Sequence, residues 1–231
     1  MTAGFEQASR SAAQAYLDML AARPKLRGLL HGIAFPLTVV AGIVLVSLAG
    51  TDRARLGCAI YSLSACLLFG VSALYHRWHG SQRVRTLLQR LDHANIFLII
   101  AGTYSPIALT VLHGRTSAIV LTIVWAGALL GIGLQLIWTT APRWLYVPIY
   151  LALGWVAVFV IPDLLHRGGV AVLVLVAVGG TLYSLGAVVY AFKRPDPVPR
   201  VFGYHEVFHA LTVAAFILQY VAVSIAVYSA A

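Results

Sequence analysis

Two histidines four residues apart, His205 and His209, have the clearest chemical potential in this sequence. Residues i and i+4 of an α-helix share one face about 6 Å apart along the axis, so both imidazoles can bind one metal ion. His76 ends another apolar segment and is predicted to lie at the same depth. Three imidazoles with a fourth position open to water are typical of catalytic zinc. The spacing therefore predicts a zinc site formed by His76, His205 and His209. The alternative is that the histidine pair only caps the helix, extends to the membrane surface or stacks on aromatic rings.

Two further polar residues are predicted to lie beside these histidines. Asp92 begins the third apolar segment at the same depth, and we expect its carboxylate to act as the general base toward the water at the fourth position. Ser72 precedes His76 by four residues, and its hydroxyl could orient a neighbouring group or a substrate carbonyl. An ion pair with Arg90 or Arg77 is the alternative interpretation of Asp92.

The segment 205–209 also matches the H-E-x-x-H pattern of zinc proteases, in which the glutamate is the general base. No histidine follows His209, so the downstream third ligand of those proteases is missing. We therefore interpret Glu206 as a helix-start carboxylate on the inner surface, favoured by the helix dipole. His31 and His93 are interpreted as helix-start or supporting residues rather than as ligands.

The composition is that of a membrane protein. Of 231 residues, 61% are hydrophobic and 10% are charged, whereas soluble domains carry about 25% charged residues. The charges divide the chain into seven uncharged runs, each long enough to cross a hydrocarbon core as a helix. These runs lack the period-two alternation of a transmembrane β-barrel. No room remains for a soluble catalytic domain, so any chemistry must be built from the spans.

We predict an all-α membrane protein, a bundle of seven transmembrane helices with a cytoplasmic N-terminus and the C-terminus outside. Residues 1–27 are predicted to be a cytoplasmic segment, in which 5–22 form an interfacial helix or, alternatively, a frayed tail. Residues 28–231 form the transmembrane domain. The predicted spans are 29–49, 56–76, 92–112, 117–138, 145–164, 170–192 and 204–228.

The basic residues determine the predicted orientation. With the N-terminus inside, twelve of the 16 lysines and arginines lie on inner segments and four on outer segments. This bias agrees with the positive-inside rule. The net charge of +9 is interpreted as attraction to anionic lipid at the membrane surface rather than as nucleic-acid binding.

Four motifs in this chain resemble those of the hemolysin III family, the bacterial branch of the progestin and adipoQ receptor superfamily. The motifs are SALYH at 72–76, LDHANI at 91–96, AGTYSP at 101–106 and GYHEVFH at 203–209, and the resemblance begins with RGLLHG at 27–32. It implies a seven-helix bundle with zinc held by His76, His205 and His209, Asp92 bound to the zinc water, and Ser72 adjacent. None of these five positions departs from the family pattern.

Members of this family are similar to alkaline ceramidases, and their eukaryotic relatives are regarded as lipid-amide hydrolases or receptors. We therefore expect an intramembrane zinc-dependent hydrolase of the bacterial inner membrane that cleaves a lipid amide or ester at the inner leaflet. Membrane lipids are the expected substrates or ligands. The alternative is a non-catalytic zinc-containing protein, either a sensor of membrane state or a cytolytic factor of hemolysin type. An intramembrane protease is disfavoured by the missing downstream ligand.

Overall fold

The computed structural model describes residues 11, 14, 24–138, 142–198 and 200–229. These residues are helical apart from short connections. The predicted interfacial helix at 5–22 lies almost wholly outside the described residues. The main helices are α1 (Leu29–Leu48), α2 (Asp52–Arg77), α3 (Gln82–Thr110), α4 (Gly114–Ile137), α5 (Arg143–Gly154), α6 (Gly169–Phe192) and α7 (Tyr204–Tyr228).

Within the described part of the chain, six helices are long and apolar enough to cross a membrane. Five of them are α1 to α4 and α7. The sixth is the continuous helical stretch Arg143–Phe192, which has 50 residues and joins α5 to α6 through a 3₁₀ segment (Trp155–Val160), a single turn (Ile161–Asp163) and a π-helical segment (Leu164–Gly168). The prediction of an all-α membrane protein is confirmed.

The 50-residue stretch folds back on itself. Arg143 near its start donates a hydrogen bond from Nη1 to the carbonyl oxygen of Tyr190 near its end, at 3.1 Å. Trp155 Nε1 donates to Ser184 Oγ at 3.0 Å. Gly169 lies at the break between the two arms with a φ of 83°, a conformation that favours glycine. The helices α5 and α6 are therefore two arms packed side by side.

The predicted start of the third span is wrong. Helix α3 begins at Gln82, ten residues before Asp92, so Asp92 lies inside the helix rather than at its start. The prediction placed the start of the span where the charged residues give way to the apolar run, but charged residues do not prevent a helix from beginning earlier. Long arginine side chains can extend to the membrane surface from the first turns of a helix. Asp92 is consequently held on a rigid element, with helix on both sides.

The centre of the bundle lies between α2, α3 and α7. The rings of Phe69 in α2 and Phe216 in α7 meet edge to face, with their centroids 5.1 Å apart, and Phe97 of α3 is fully buried. Gly102 of α3 permits a close approach to α2, because a Cβ there would lie 2.1 Å from Ser64 Oγ. Small residues at such contacts let membrane helices pack tightly. This packing fixes the three helices that carry the candidate site.

Candidate metal centre

Three histidines meet at the end of the bundle where α2 ends and α7 begins, which we call the histidine end. His76 lies in the last turn of α2, and His205 and His209 lie in the first two turns of α7. One ring nitrogen from each comes within 4.8 Å of the others. His76 and His209 are buried, and His205 is half-buried. The structure thus brings together the three residues expected to bind zinc.

The geometry of these nitrogens fits a zinc ion. Imidazole nitrogens bind zinc at about 2.0–2.1 Å, so two ligands of a tetrahedral site lie about 3.3 Å apart. The Nε2 atoms of His76 and His205 are 3.0 Å apart. A nitrogen of His209 lies within 4.8 Å of both. Two of the three imidazoles are also buried, which strengthens the attraction between ligands and a cation.

Asp92 and Ser72 lie beside this cluster, as the sequence predicts. Asp92 Oδ2 is 3.9 Å from His76 Nε2. The Ser72 hydroxyl is buried next to the Asp92 carboxyl, but it makes no hydrogen bond of standard geometry with the described residues. All five site residues therefore converge from α2, α3 and α7, while their chemical roles stay predictions.

Two further histidines pack around the cluster without joining it. His31 of α1 stacks on His209, with ring centroids 3.7 Å apart and planes inclined by 10°. His93 of α3 is held by its two nitrogens, which lie 2.8 Å from the Gln89 carbonyl oxygen and 3.1 Å from the Tyr190 hydroxyl. Both contacts agree with the interpretation of these residues as supporting side chains. The stacking limits rotation of the His209 ring.

The expectation that Glu206 lies on the surface is wrong. Its side chain is 1% exposed, and Oε1 accepts a hydrogen bond at 2.6 Å from Arg27 Nε. Oε2 accepts a hydrogen bond at 2.9 Å from the backbone nitrogen of Gly203. Arg27, two residues before α1, offsets the buried negative charge of Glu206. A sequence pattern cannot reveal this pairing, because the two residues are 179 positions apart. Because both oxygens are occupied, Glu206 ties the chain before α1 to the start of α7.

The connection before α7 also fixes where the histidines lie. Asp196 Oδ1 accepts a hydrogen bond from the backbone nitrogen of Tyr204 at 2.8 Å, which satisfies an otherwise free donor at the helix start. The backbone nitrogen of Lys25 donates to the carbonyl oxygen of Arg200 at 3.1 Å. These bonds anchor the first turn of α7 to both neighbouring segments.

Gly28 lies directly against the end of α2. Its φ is +75°, and a Cβ at this position would lie 2.7 Å from the Cβ of His76. Residues other than glycine are disfavoured both by the backbone conformation and by this contact. The position of the His76 ring therefore depends on glycine at position 28.

Replacing Gly28 with alanine is expected to displace His76 and to lower both zinc content and thermal stability. The left-handed backbone alone costs alanine roughly 1–2 kcal/mol. Gly32→Ala is the matched control, because a Cβ there would lie 3.9 Å from Ala73 Cβ, an ordinary contact. Metal analysis and thermal unfolding of both variants measure the difference. Wild-type zinc and stability in the Gly28→Ala protein would contradict the close contact.

An apolar cavity of about 210 Å³ begins at the cluster and extends between α3, α5, α6 and α7. Its polar end is formed by Ser72, Asp92 and His209. Lining residues on α3 run from Asp92 to Ile107, a helical length of about 22 Å. The rest of the lining is mainly aliphatic and aromatic, including Ile96, Ile100, Tyr104, Leu151, Val176 and Ala187. This cavity suits a hydrocarbon chain.

A second, polar cavity of about 170 Å³ lies on the other side of the cluster. His76 and His205 line it, and Tyr190 lines both cavities. Tyr190 was missed from the sequence, although a tyrosine near the inner end of a mainly aliphatic run was a usable signal. The histidine cluster thus lies between a polar cavity and an apolar one.

Comparison with known proteins identifies the family. The chain matches the model of the haemolysin-III related family over residues 19–220. It is 32% identical over 167 residues to hemolysin-3 of Bacillus cereus, covering 71% of this chain and 76% of that protein. It is 31% identical over 167 residues to the hemolysin-3 homolog of Bacillus subtilis (strain 168), covering 71% and 78%. No solved structure gives a significant match. The chain therefore belongs to the haemolysin-III related family of membrane proteins.

Proposed function

We propose that this protein is an intramembrane zinc-dependent hydrolase that cleaves an amide or ester bond of a lipid. The observation that carries the proposal is the position of the three-histidine cluster, with Asp92 and Ser72, between the polar and apolar cavities. An amphiphile with its headgroup in the polar cavity and its chain in the apolar cavity would have its linking bond at the histidines.

Zinc would be held by His76, His205 and His209. When bound, it supplies Lewis-acid activation of a carbonyl group and of water. The three imidazoles are neutral donors, so the ion keeps its full positive charge for this purpose. The zinc assignment is supported by the set of three imidazoles, whose ring nitrogens all lie within 4.8 Å of one another.

Asp92 is the group proposed to move the proton. Its carboxylate takes a proton from the water that attacks the carbonyl carbon, and returns it to the leaving nitrogen or oxygen as the carbon–heteroatom bond breaks. The products are then a fatty acid and an amine or alcohol. Ser72 lies next to the carboxyl and would orient it by donating a hydrogen bond. Glu206 is unsuited to this task, since both its oxygens already accept hydrogen bonds.

The direct test is fatty-acid release from a panel of N-acyl amides and glycerol esters by the detergent-purified protein. Reaction in ¹⁸O-labelled water is expected to place one ¹⁸O atom in the released fatty acid. The Asp92→Ala protein, purified in the same way, is the control for contaminating lipases. Equal release by both proteins, or no release from any lipid of the panel, would refute hydrolysis by this site.

We infer further that α5 and α6 are separate spans, which gives seven, and that the histidine end faces the cytoplasm of a bacterial inner membrane. The side-by-side contacts of Arg143 with Tyr190 and of Trp155 with Ser184 support two spans. The twelve-to-four distribution of basic residues supports the orientation. A substrate would then be taken from the inner leaflet.

This orientation makes a clear prediction for reporter fusions. A reporter active only outside the cytoplasm is expected to be on after Ala231 and off after Arg85. A fusion after His113, between α3 and α4, is the internal control and is expected to be on. Enzyme activity in whole cells, normalised to fusion-protein level, gives the result. The reverse pattern would overturn both the orientation and the inner-leaflet site.

A non-catalytic function is the second candidate, because the Bacillus relatives are named as hemolysins. In that case zinc would only tie α2 to α7, and the protein would act as a cytolytic factor or as a sensor of membrane state. Metal removal would then lower stability, while no lipid would be hydrolysed.

A further inference from the structure

The polar cavity has an unusual distribution of charge. Three arginines, Arg27, Arg85 and Arg143, line it, and no aspartate or glutamate is among its lining residues. The arginines come from distant parts of the chain: the segment before α1, the first turn of α3 and the start of α5. Their convergence is a property of the fold, unlike the scattered basic residues of a membrane-facing surface.

The arginines differ in how their charges are balanced. Arg27 is paired with Glu206 at 2.6 Å. Arg85 and Arg143 form no ion pair with any carboxylate in the part of the chain that the structure describes. Two half-buried guanidinium groups thus share a cavity without a neutralising side chain. Burial of like charges without a partner is unfavourable, so an anionic ligand would stabilise this arrangement.

Arg143 is held in place rather than free to turn outward. Its Cζ lies 4.4 Å from the centroid of the Tyr190 ring, and its Nη1 donates to the Tyr190 carbonyl oxygen. A guanidinium fixed in this way keeps further N–H donors for a ligand. Because Tyr190 also lines the apolar cavity, this arginine lies at the junction of the two cavities.

The remaining lining supplies neutral hydrogen-bonding groups, from the side chains of Gln89 and Tyr204. One guanidinium group can donate two parallel hydrogen bonds to two oxygens of a phosphate, because its planar fork of N–H donors matches their spacing. A tetrahedral anion with several oxygens can use two guanidiniums and neutral donors together. The apolar cavity on the other side of the histidines suits the acyl chain of the same molecule.

We propose that the polar cavity binds the phosphate of an anionic lipid headgroup. The inference names a headgroup chemistry for the lipid of the proposed function, and in that respect it rests on that function. Lipid binding and lipid hydrolysis are therefore measured separately, so that the headgroup proposal and the hydrolase proposal can be refuted independently.

The experiment measures equilibrium binding to the detergent-purified full-length protein. The probes are dioctanoyl phosphatidic acid, inorganic phosphate and neutral dioctanoylglycerol. We expect phosphatidic acid to bind more tightly than either other probe, because only it fills both cavities. Inorganic phosphate binding as tightly as the lipid would show a site for free phosphate and would overturn the lipid headgroup.

Substitution of individual arginines tests whether phosphatidic acid binds in the polar cavity. Arg85→Gln is expected to weaken phosphatidic acid binding about tenfold or more, the effect of losing a hydrogen bond to a charged group. Arg83→Gln is the matched control, since Arg83 is exposed on the same helical turn and does not line the cavity. Arg143→Lys keeps the charge but loses the fork, and an intermediate loss is expected. Equal binding by wild type, Arg83→Gln and Arg85→Gln would show only general attraction to a basic surface and would overturn the site.

Comparison with hydrolysis separates the two proposals. If Arg85→Gln weakens lipid binding but no phosphate-bearing lipid is cleaved, the headgroup site stands and the hydrolase proposal fails for these lipids. If neutral lipids are cleaved at the wild-type rate by Arg85→Gln and phosphatidic acid does not bind, the hydrolase stands and the headgroup site is refuted.

Discussion

Replacing Asp92 with asparagine is expected to lower the rate of lipid hydrolysis by roughly two to four orders of magnitude, the usual contribution of a positioned general base. Asparagine has nearly the same size but cannot take up a proton at neutral pH. Because the expected zinc ligands are the three histidines and not Asp92, bound zinc should be largely retained. Turnover and zinc per chain, measured on the same preparation, test both parts.

The matched control for Asp92 is the other buried acid of the site region, Glu206. Glu206→Gln keeps an acceptor for only one of Arg27 and Gly203, presents an NH₂ donor to the other and loses the charge, so a lower unfolding temperature with near-wild-type turnover is expected. The opposite ranking of Asp92 and Glu206 variants would mean that the H-E-x-x-H interpretation is correct. Near-wild-type turnover in both variants would refute Asp92 as the base.

Single replacement of His76, His205 or His209 by alanine is expected to remove most of the bound zinc. The wild-type protein should carry about one zinc per chain, since three imidazoles can hold one ion. Loss of one ligand leaves two, too few for the tetrahedral sites in which zinc binds tightly. Metal analysis of detergent-purified protein gives the stoichiometry, and loss of hydrolysis should follow loss of metal.

Two other histidines serve as controls for this series. His113 is the residue before α4, and His166 lies in the π-helical segment between α5 and α6, both away from the histidine end. Their replacement by alanine is expected to leave zinc unchanged. Full zinc occupancy in all three cluster variants would refute the assignment of the metal site.

Local spacing was sufficient to predict part of the site. The predicted span 204–228 coincides with α7, because the proline-rich segment before it cannot continue a helix. The four-residue interval therefore placed His205 and His209 on one face correctly. His76 was associated with them only through the depth at which the apolar runs end, and the structure brings all three together.

Contacts between distant segments could not be predicted in this way. The pairing of Arg27 with Glu206 and the approach of Arg143 to Tyr190 depend on how the helices pack. The pattern of charges along the chain suggests that the side chains of Arg27, Glu206 and Arg143 are exposed. Packing instead placed Glu206 inside and directed Arg143 into a cavity.

Metal-dependent lipid hydrolysis is tested most directly by the rate of fatty-acid release from the lipid panel before chelation, after chelation and after zinc is restored. We expect release to fall to the rate of the Asp92→Ala protein when the metal is removed, and to recover when about one zinc per chain is bound again. A folded protein that carries one zinc per chain and releases no fatty acid from any lipid would contradict the hydrolase and favour a structural metal. Release that persists unchanged without metal would contradict the three-histidine site as its source.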